Sequence, residues 1–338
     1  MVKPLVIGGQ KIAAGSRKSF SLEVAQLYDF TKLMLPIEVI RGTEDGPTLF
    51  VSAAIHGDEL NGVEIIRRLL ADKALNKIKG TLIAVPIVNV FGFNNKSRYL
   101  PDRRDLNRFF PGSADGSMAA QLAYVFMEEV VKKSTHGIDL HTAAIHRSNL
   151  PQIRGCLEDP TVMEMAQAFR VPVILNSDLR EGSLREAAHN CGIPTLLYEA
   201  GEATRFNENA INIGVHGILS VMRDIGMLVR FVNPFTPRKS FIARDSHWIR
   251  APQSGILSIH KHLGRRVKKG EILGQISDPF GRIKHDIEAK RTGIIIGQAT
   301  TPLINKGEAA FHIATFEKDI ALQDNVDFLI NTPDGLSS

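Results

Sequence analysis

The sequence predicts an α/β protein in which helices cover both faces of a sheet, followed by a smaller all-β domain. Its 338 residues are more than twice the usual length of one domain. With 43% hydrophobic and 23% charged residues, the composition is typical of a soluble globular protein with a large core. Short apolar runs alternate with amphipathic stretches up to about residue 235, and helical periodicity then disappears. We therefore expect an α/β domain over residues 1–235 and an accessory β domain over residues 236–330.

Individual elements follow from the hydrophobic pattern. Strands are predicted at four short apolar runs, over residues 48–55, 81–88, 172–175 and 194–198. Helices are predicted where apolar residues recur at helical spacing, over residues 60–70, 118–131 and 211–223. The strand runs show little alternation and are rich in β-branched residues, which indicates strands buried on both faces.

The charge balance and the chain's ends exclude several classes of protein. The chain has 41 Lys+Arg against 36 Asp+Glu, a mild excess of +5 without the basic stripe that nucleic acid demands. No apolar run approaches the roughly 20 residues of a membrane span, and Met1 to Gln10 lacks a signal-like apolar core. Two cysteines, Cys156 and Cys191, cannot form a disulfide framework. We expect a cytoplasmic protein with neither nucleic-acid nor membrane partners.

An internal repeat marks the C-terminal region. The segment Ile249–Ile256 is echoed by Ile287–Ile294 at an offset of 38 residues, and the Lys-Gly-Glu at 269–271 by that at 306–308 at an offset of 37. Two copies of one strand-turn-strand unit resemble the barrel-sandwich fold of biotinyl and lipoyl carrier domains. Such a carrier needs a lysine at the hairpin tip, and the expected tip, Ser277 to Arg282, has none. The sequence therefore favours an accessory β domain over a carrier or binding protein.

Two histidines and a glutamate form a candidate metal site. His56 and Glu59 follow a predicted strand, and if a helix starts at Asp58 both side chains converge at the edge of the sheet. A second strand end, at residues 137–142, supplies His141. Two imidazoles and a carboxylate leave the fourth position of a Zn²⁺ site open for water. His146, five residues after His141, remains a rival ligand.

Two further segments carry polar side chains at turns. One is the DLNRFFPG segment at residues 105–112, and the other is YEAGE at residues 198–202. Glu199 ends an apolar strand where a buried strand opens into a pocket, so it is the candidate general base. Glu202, beyond Gly201, is the weaker rival.

In this order, HGDELNG, DLNRFFPG, DLHT and YEAGE resemble the succinylglutamate desuccinylase/aspartoacylase family, relatives of the zinc carboxypeptidases, over roughly residues 45–220. The resemblance implies a mixed sheet, one Zn²⁺ per chain, and hydrolysis of an amide that joins an acyl group to an amino acid. It assigns roles to seven residues: metal ligation to His56, Glu59 and His141, general base catalysis to Glu199, carboxylate binding to Asn107 and Arg108, and orientation of His56 to Asp105.

The family also requires an arginine that stabilises the oxyanion, and here the match is looser. Arg98 is the preferred residue, with Arg103 and Arg104 as alternatives. Arg180 or Arg185 could supply a second carboxylate contact, and for each of them a charge on a helix surface is an equal alternative. Aspartoacylase uses a tyrosine from its C-terminal domain, whereas all four tyrosines here precede residue 199. N-acetylaspartate is therefore expected to be a poor substrate. His260, His262 and His285 of the β domain could face the cleft, although surface positions are the simpler interpretation.

These observations predict a zinc-dependent amidohydrolase that deacylates a small N-acyl amino acid. A metallocarboxypeptidase acting on peptides is the alternative, because the same ligands and Arg108 would serve both reactions. A β domain leaning over the site would favour the deacylase by confining a small ligand. Another divalent metal in place of Zn²⁺ and assembly into a homo-oligomer are both compatible with the sequence.

Overall fold

Strands open the chain in the computed structural model, which describes residues 5–230 and 240–316. Strands β1 (Leu5–Ile7) and β2 (Gln10–Ile12) form a small antiparallel pair. The longer β3 (Ser16–Gln26) and β4 (Lys32–Arg41) form an antiparallel ribbon at one edge of the main sheet. None of these four strands was predicted. In β3 only Leu22 and Val24 are buried, so its sequence lacks the apolar run by which the other strands were recognised.

Strands and helices then alternate up to residue 224. All four predicted strands and all three predicted helices are present, with ends that differ by a few residues. The elements are β5 (Thr48–Ala53), α1 (Asn61–Ala71), β6 (Thr81–Val85), α2 (Val90–Asn94), α3 (Met118–Glu129), β7 (His136–Ala143), β8 (Arg147–Gly155), α4 (Pro160–Phe169), β9 (Val173–Asn176), α5 (Leu184–Asn190), β10 (Thr195–Glu202) and α6 (Glu208–Asp224).

The main sheet is mixed, as expected. β6, β5, β7 and β10 lie side by side and parallel, whereas β4 and β8 flank this group in antiparallel pairing. The carboxyl ends of the four parallel strands meet at one edge, where polar side chains can converge without exposing the core.

Helices cover both faces of this sheet, which confirms the predicted architecture. Alternate residues of β5 face opposite sides: Leu49 and Val51 pack in a core with α1, α4 and α6, whereas Phe50 packs in a second core with α3 and α5. All three side chains are fully buried. The strand is therefore apolar throughout, which explains its lack of alternation.

Between residues 240 and 316 the described chain contains strands and no helix. These C-terminal strands are β11 (Phe241–Ala243), β12 (Asp245–Arg250), β13 (Gly255–Ile259), β14 (Arg266–Val267), β15 (Ile272–Ser277), β16 (Lys284–Glu288), β17 (Gly293–Ala299), β18 (Leu303–Ile304) and β19 (Ala309–Thr315). One layer is the sheet β16-β15-β13-β18, and the other contains β12, β19, β17 and β14. Apolar side chains such as Leu257, Leu273 and Phe311 fill a common core, as in a barrel sandwich.

The repeated Lys-Gly-Glu segments both form turns. Gly270 and Gly307 have φ angles of +81° and +87°, a conformation that glycine adopts without steric cost. The predicted domain boundary at residues 235 and 236 lies outside the described ranges, as do residues 317–330.

The C-terminal strands continue the main sheet. β17 pairs with β8 in antiparallel register, with Gly297, Gln298 and Ala299 opposite Asn149, Ser148 and Arg147. Because β8 also pairs with β10, the C-terminal strands lie one strand away from the YEAGE segment. Neither described range contains a helix that is long and apolar enough to cross a bilayer.

Candidate active site

His56 and Glu59 lie in a tight turn between β5 and α1. The condition under which helical spacing would bring them together, a helix that starts at Asp58, is not met, because α1 begins at Asn61. The turn starts at Ala54, whose φ of +52° redirects the chain at the end of β5. It closes where the Glu59 N–H donates to the His56 carbonyl at 3.1 Å. The two side chains therefore converge through a turn and not through helical spacing.

The three predicted ligands lie together: His141 projects from β7 and meets His56 and Glu59. His56 Nδ1 lies 2.7 Å from Glu59 Oε1, and His141 Nδ1 lies 2.9 Å from Glu59 Oε2. One ligand atom from each residue falls within 4.8 Å of the others, and all three side chains are buried. His146 lies apart from this cluster and is exposed.

Each imidazole uses its other nitrogen to contact a carboxylate. His56 Nε2 lies 3.1 Å from Asp105 Oδ1, and His141 Nε2 lies 2.7 Å from Asp139 Oδ2. Asp139 is in turn held by the Ser52 hydroxyl, which donates to Oδ1 at 2.8 Å. Outer carboxylates of this kind fix the orientation and tautomer of metal-binding histidines. The donor set, two inward-facing imidazoles and one carboxylate, fits a divalent metal such as Zn²⁺.

Sequence reasoning found Asp105 but not Asp139. The signal was present: Asp139 lies two residues before His141 on a strand, and residues at that spacing share a face.

Charge is concentrated at this buried point. Burial favours the neutral carboxyl, but the imidazoles of His56 and His141 outweigh it and hold the pKa of Glu59 below its ordinary value. Burial also opposes the imidazolium, yet Asp139 and Glu59 raise the pKa of His141 well above its ordinary value. The cluster therefore favours positive charge between its carboxylates, which is the electrostatic environment that a dication requires.

Arg98 joins the cluster from the segment that follows α2. Its Nη1 donates to Glu59 Oε1 and its Nη2 to Asp105 Oδ2, each at 3.2 Å. Burial lowers the pKa of Arg98, but the two carboxylates have the larger effect, so the pKa of Arg98 is raised above its ordinary value. Of the alternatives, Arg103 is exposed and Arg104 pairs with Asp102 at 2.7 Å, away from the cluster.

The DLNR segment is a single 3-10 turn over Leu106–Arg108, capped by Asp105. Asn107 Oδ1 accepts the Leu184 N–H at 2.9 Å, which attaches this turn to the first residue of α5. Arg108 Nη2 lies 3.9 Å from Asp105 Oδ2, and its side chain is 31% exposed. Arg108 also helps to line a pocket of about 680 Å³, but the lining of that pocket includes none of His56, Glu59, His141 and Glu199. The Arg108 side chain is therefore partly open to solvent.

Arg185 is buried at the start of α5, so the interpretation as a helix-surface charge was wrong for this residue. Its guanidinium donates to the carbonyls of Ser177 and Asp178. Burial and the neighbouring Arg154 hold the pKa of Arg185 below its ordinary value, while Glu199 acts in the opposite direction. Arg180, by contrast, is exposed.

Glu199 lies beside the cluster because β10 runs parallel to β7, with Glu199 opposite His141 in the register. Its side chain is half-buried, and its Oε2 accepts a hydrogen bond from Asn149 Nδ2 at 2.7 Å. Glu202 has a different environment: it is 6% exposed, and its Oε1 accepts from the His146 N–H and the Thr300 hydroxyl, each at 3.0 Å. Glu202 therefore holds the His146 backbone and the Thr300 hydroxyl, whereas Glu199 has one hydrogen bond, to the Asn149 side chain, and is partly exposed.

No tyrosine of the C-terminal strands can reach the site, since the sequence has none after Tyr198. Tyr198 itself is buried on the opposite face of β10, where its hydroxyl donates to the Ala210 carbonyl at 2.7 Å. His260, His262 and His285 are exposed and lie in or next to the layer that does not pair with β8. The surface interpretation of these histidines is therefore confirmed.

Comparison with known proteins assigns this site to a family. Residues 45–225 match the succinylglutamate desuccinylase/aspartoacylase catalytic domain. The chain belongs to this family. The match covers more than half of the 338 residues and includes His56, Glu59 and His141.

Two relatives indicate the range of this family. The chain is 25% identical over 294 residues to an N-alpha-acetyl-L-2,4-diaminobutyric acid deacetylase from Halomonas elongata, covering 83% of this chain and 86% of the relative. It is 28% identical over 180 residues to a succinylglutamate desuccinylase from Burkholderia cenocepacia, covering 48% and 51% of the two chains.

Solved structures of the desuccinylase/aspartoacylase family share the fold. The product-bound ectoine utilization protein EutE (DoeB) from Ruegeria pomeroyi superposes with a TM-score of 0.78 at 23% identity, covering 88% of this chain and 95% of that one. A succinylglutamate desuccinylase from Silicibacter sp. TM1040 gives the same TM-score at 24% identity, covering 93% and 98%. The similarity extends well beyond residues 45–225 and therefore includes C-terminal strands.

Proposed function

We propose that this protein is a zinc-dependent deacylase that hydrolyses the amide bond of an N-acyl amino acid. The observation that carries the proposal is the buried His56–Glu59–His141 cluster, in which each imidazole is backed by a carboxylate. It occurs in a chain whose family is named for two deacylases. Glu199 lies beside the cluster with a half-buried carboxylate.

His56, Glu59 and His141 would hold the metal through Nδ1, a carboxylate oxygen and Nδ1. These atoms already face one another, whereas the Nε2 atoms are occupied by Asp105 and Asp139. The chemistry that Zn²⁺ would supply there is to lower the pKa of water and to polarise the scissile carbonyl.

Glu199 would act as the acid/base residue. A carboxylate in this position can accept a proton from the attacking water and deliver it to the leaving amine, so that one side chain serves both steps. Oε2 accepts from Asn149, and the described parts of the chain give Oε1 no hydrogen-bond partner. Oε1 is therefore the atom that would exchange the proton.

The arginines would bind negative charge at separate places. Arg98 lies against Glu59 and Asp105, and its guanidinium would stabilise charge that develops on the carbonyl oxygen. Arg108 presents a planar fork to a substrate carboxylate, with Asn107 beside it. Arg185, buried and close enough to Glu199 to be affected by its charge, would supply a second carboxylate contact.

The relatives support a small N-acyl amino acid as the substrate class. The Halomonas deacetylase matches over 86% of its length, whereas the Burkholderia desuccinylase matches over 51%. An N-acetyl amino acid is therefore the first compound to test. The C-terminal strands lie one strand from Glu199. If they also confine the pocket, a small N-acyl amino acid would fit it better than a peptide would.

The test is a substrate panel assayed with zinc-loaded protein. It contains N-acetyl, N-succinyl and N-formyl amino acids, including N-acetyl-L-2,4-diaminobutyrate, together with C-terminal dipeptides, and released amine is measured. We expect turnover of at least one N-acyl amino acid and its loss on chelation. Turnover confined to the dipeptides would replace the proposal with a carboxypeptidase, and turnover that persists in the metal-free protein would contradict it.

A further inference from the structure

We propose that Asn149 is a positioning residue that holds the Glu199 carboxylate, and that β17 of the C-terminal strands in turn holds Asn149. The inference rests on the proposed role of Glu199 as general base. According to this inference, the C-terminal strands contribute to catalysis by holding Asn149, and they do so whichever N-acyl amino acid is the substrate.

The first contact is the hydrogen bond between the two side chains. Asn149 is 6% exposed, and its Nδ2 donates to Glu199 Oε2 at 2.7 Å. One carboxylate oxygen is thereby held, and the other has no hydrogen-bond partner among the described residues. A neutral donor suits this task because a charged one would bind the carboxylate as an ion pair, whereas an aspartate would repel it.

The second contact fixes the other end of the amide. Gly297 of β17 lies directly opposite Asn149 in the register. A Cβ atom at position 297 would lie 3.0 Å from Asn149 Oδ1 and 3.1 Å from His312 Cβ, closer than ordinary contacts. Glycine therefore lets the strand pack directly against the amide, and this packing limits the movement of the amide away from Glu199.

The turn after β17 also contacts the end of β10, where Glu202 lies. The Thr300 N–H donates to the His146 carbonyl, and the Thr300 hydroxyl donates to Glu202 Oε1, each at 3.0 Å. These contacts lie at the irregularity of β10 between Glu199 and Glu202, where Gly201 has a φ of +75°. The C-terminal strands thus constrain the backbone beyond Glu199 as well as its side chain.

A general base is sensitive to such constraints, because a displacement of about 1 Å can cost on the order of 100-fold in rate. For Asn149→Ala we expect kcat to fall by about 10- to 100-fold, with KM and bound zinc unchanged. Ser148→Ala, the neighbouring residue of β8, is the matched control and should retain activity. The assay uses the panel compound that wild-type protein hydrolyses fastest.

Gly297→Ala tests the contribution of β17. The added methyl group should displace the Asn149 amide and lower kcat by about 10-fold, whereas Gln298→Ala in the same strand should not. In the Asn149→Ala background, Gly297→Ala should cause no further loss of kcat, because the side chain through which it acts is gone. Thermal unfolding of each variant identifies any that fail to fold.

Glu199→Gln separates this inference from the proposed function. If Glu199→Gln abolishes turnover while Asn149→Ala leaves kcat intact, positioning by Asn149 is refuted and the base stands. If Glu199→Gln retains turnover, the assignment of the base fails. If the fold losses in kcat of Asn149→Ala and Gly297→Ala multiply in the double variant, Gly297 does not act through Asn149 and that part of the inference is refuted.

A crystal structure of Gly297→Ala provides a readout that does not depend on activity. The inference requires the Asn149–Glu199 hydrogen bond to be lengthened or broken in the variant. An unchanged 2.7 Å contact beside an alanine would overturn the role of β17.

Discussion

His56 contacts two different carboxylates through the two nitrogens of its ring. Its Nδ1 faces Glu59 and its Nε2 faces Asp105. The ring therefore has no freedom to rotate away from the cluster centre, and its removal takes away a donor that no neighbour among the described residues can replace.

His56→Ala should therefore abolish zinc binding. We expect about one Zn²⁺ per chain in wild-type protein and almost none in the variant after dialysis, as measured by elemental analysis. His146→Ala is the matched control, because His146 is exposed and lies outside the cluster. Full occupancy in His56→Ala, or its loss in His146→Ala, would show that the ligand set has been misassigned.

Glu199 and Glu202 are three residues apart, yet their surroundings differ. Glu199→Gln should keep the metal and lower kcat by about 100-fold or more, because an amide cannot exchange the proton. Glu202→Gln should keep most of its turnover but unfold at a lower temperature, because Glu202 accepts hydrogen bonds from the backbone N–H of His146 and from Thr300. The reverse pattern would make Glu202 the base.

Most of the residues that sequence reasoning found lie in contiguous motifs, although Asp139 of the DLHT motif was missed, and a residue whose role depends on strand pairing could not be found. His56, Glu59 and Asp105 are carried by two short segments with recognisable spacing. Asn149 has no local signal, because its contact with Glu199 arises from the pairing of β8 with β10.

At the scale of elements, charged side chains join α1 to α6. Glu64 accepts from Arg67 and Arg68, and Arg68 also pairs with Glu208 of α6 at 2.8 Å. The hydrogen bond from Arg67 is the largest cause of a pKa for Glu64 of about 2, against an ordinary value of 4.5. The folded state therefore binds this proton less readily than the unfolded chain does.

Glu64→Gln should lower the free energy of unfolding by about 1 kcal/mol at pH 7. A carboxyl with a depressed pKa in the folded state stabilises the fold above its unfolded pKa, and loses this contribution as the pH falls through the folded value. The difference between variant and wild type should therefore shrink from pH 5 toward pH 2, as measured by urea unfolding. Asp45→Asn, at an exposed position, is the control. A pH-independent difference would exclude charge as its origin.

Strand β5 was predictable from its continuous apolar run, whereas the mostly polar β3 was not. Leu49, Phe50 and Val51 of β5 are buried on two faces, so the strand is visible in the sequence. β3 lies at the edge of the sheet, and most of its residues are not buried. It is held there by pairing with β4, which the sequence of β3 alone does not reveal. Glu59 shows a different limit, because spacing alone cannot distinguish a tight turn from the first turn of a helix.

At the scale of the whole molecule, the C-terminal strands lack the tyrosine that aspartoacylase takes from its C-terminal domain. N-acetylaspartate should be hydrolysed with a kcat/KM at least about tenfold below that of the best panel compound, because no tyrosine follows Tyr198. Competitive kinetics with both compounds would measure this ratio. N-acetylaspartate ranking first would show that another residue performs the tyrosine's task.

The sequence indicated that helical periodicity ends near residue 235, but it did not show how the strands after this point pair with those before it. Periodicity and repeats are local properties, whereas the register of Gly297 opposite Asn149 joins residues 148 positions apart in the chain. The barrel-like repeat could therefore be recognised, and its continuity with the main sheet could not.

The pairing of β17 with β8 also has a consequence for solubility. A chain cut after residue 230 would leave the backbone groups of residues 147–149 unpaired on the side that β17 covers. Open strand edges template association between molecules, so the shortened chain should form aggregates that light scattering would detect. A monodisperse fragment would mean that this edge is protected by other means. If the fragment does aggregate, insertion or loss of the C-terminal strands during evolution would have to be accompanied by a new cover for β8.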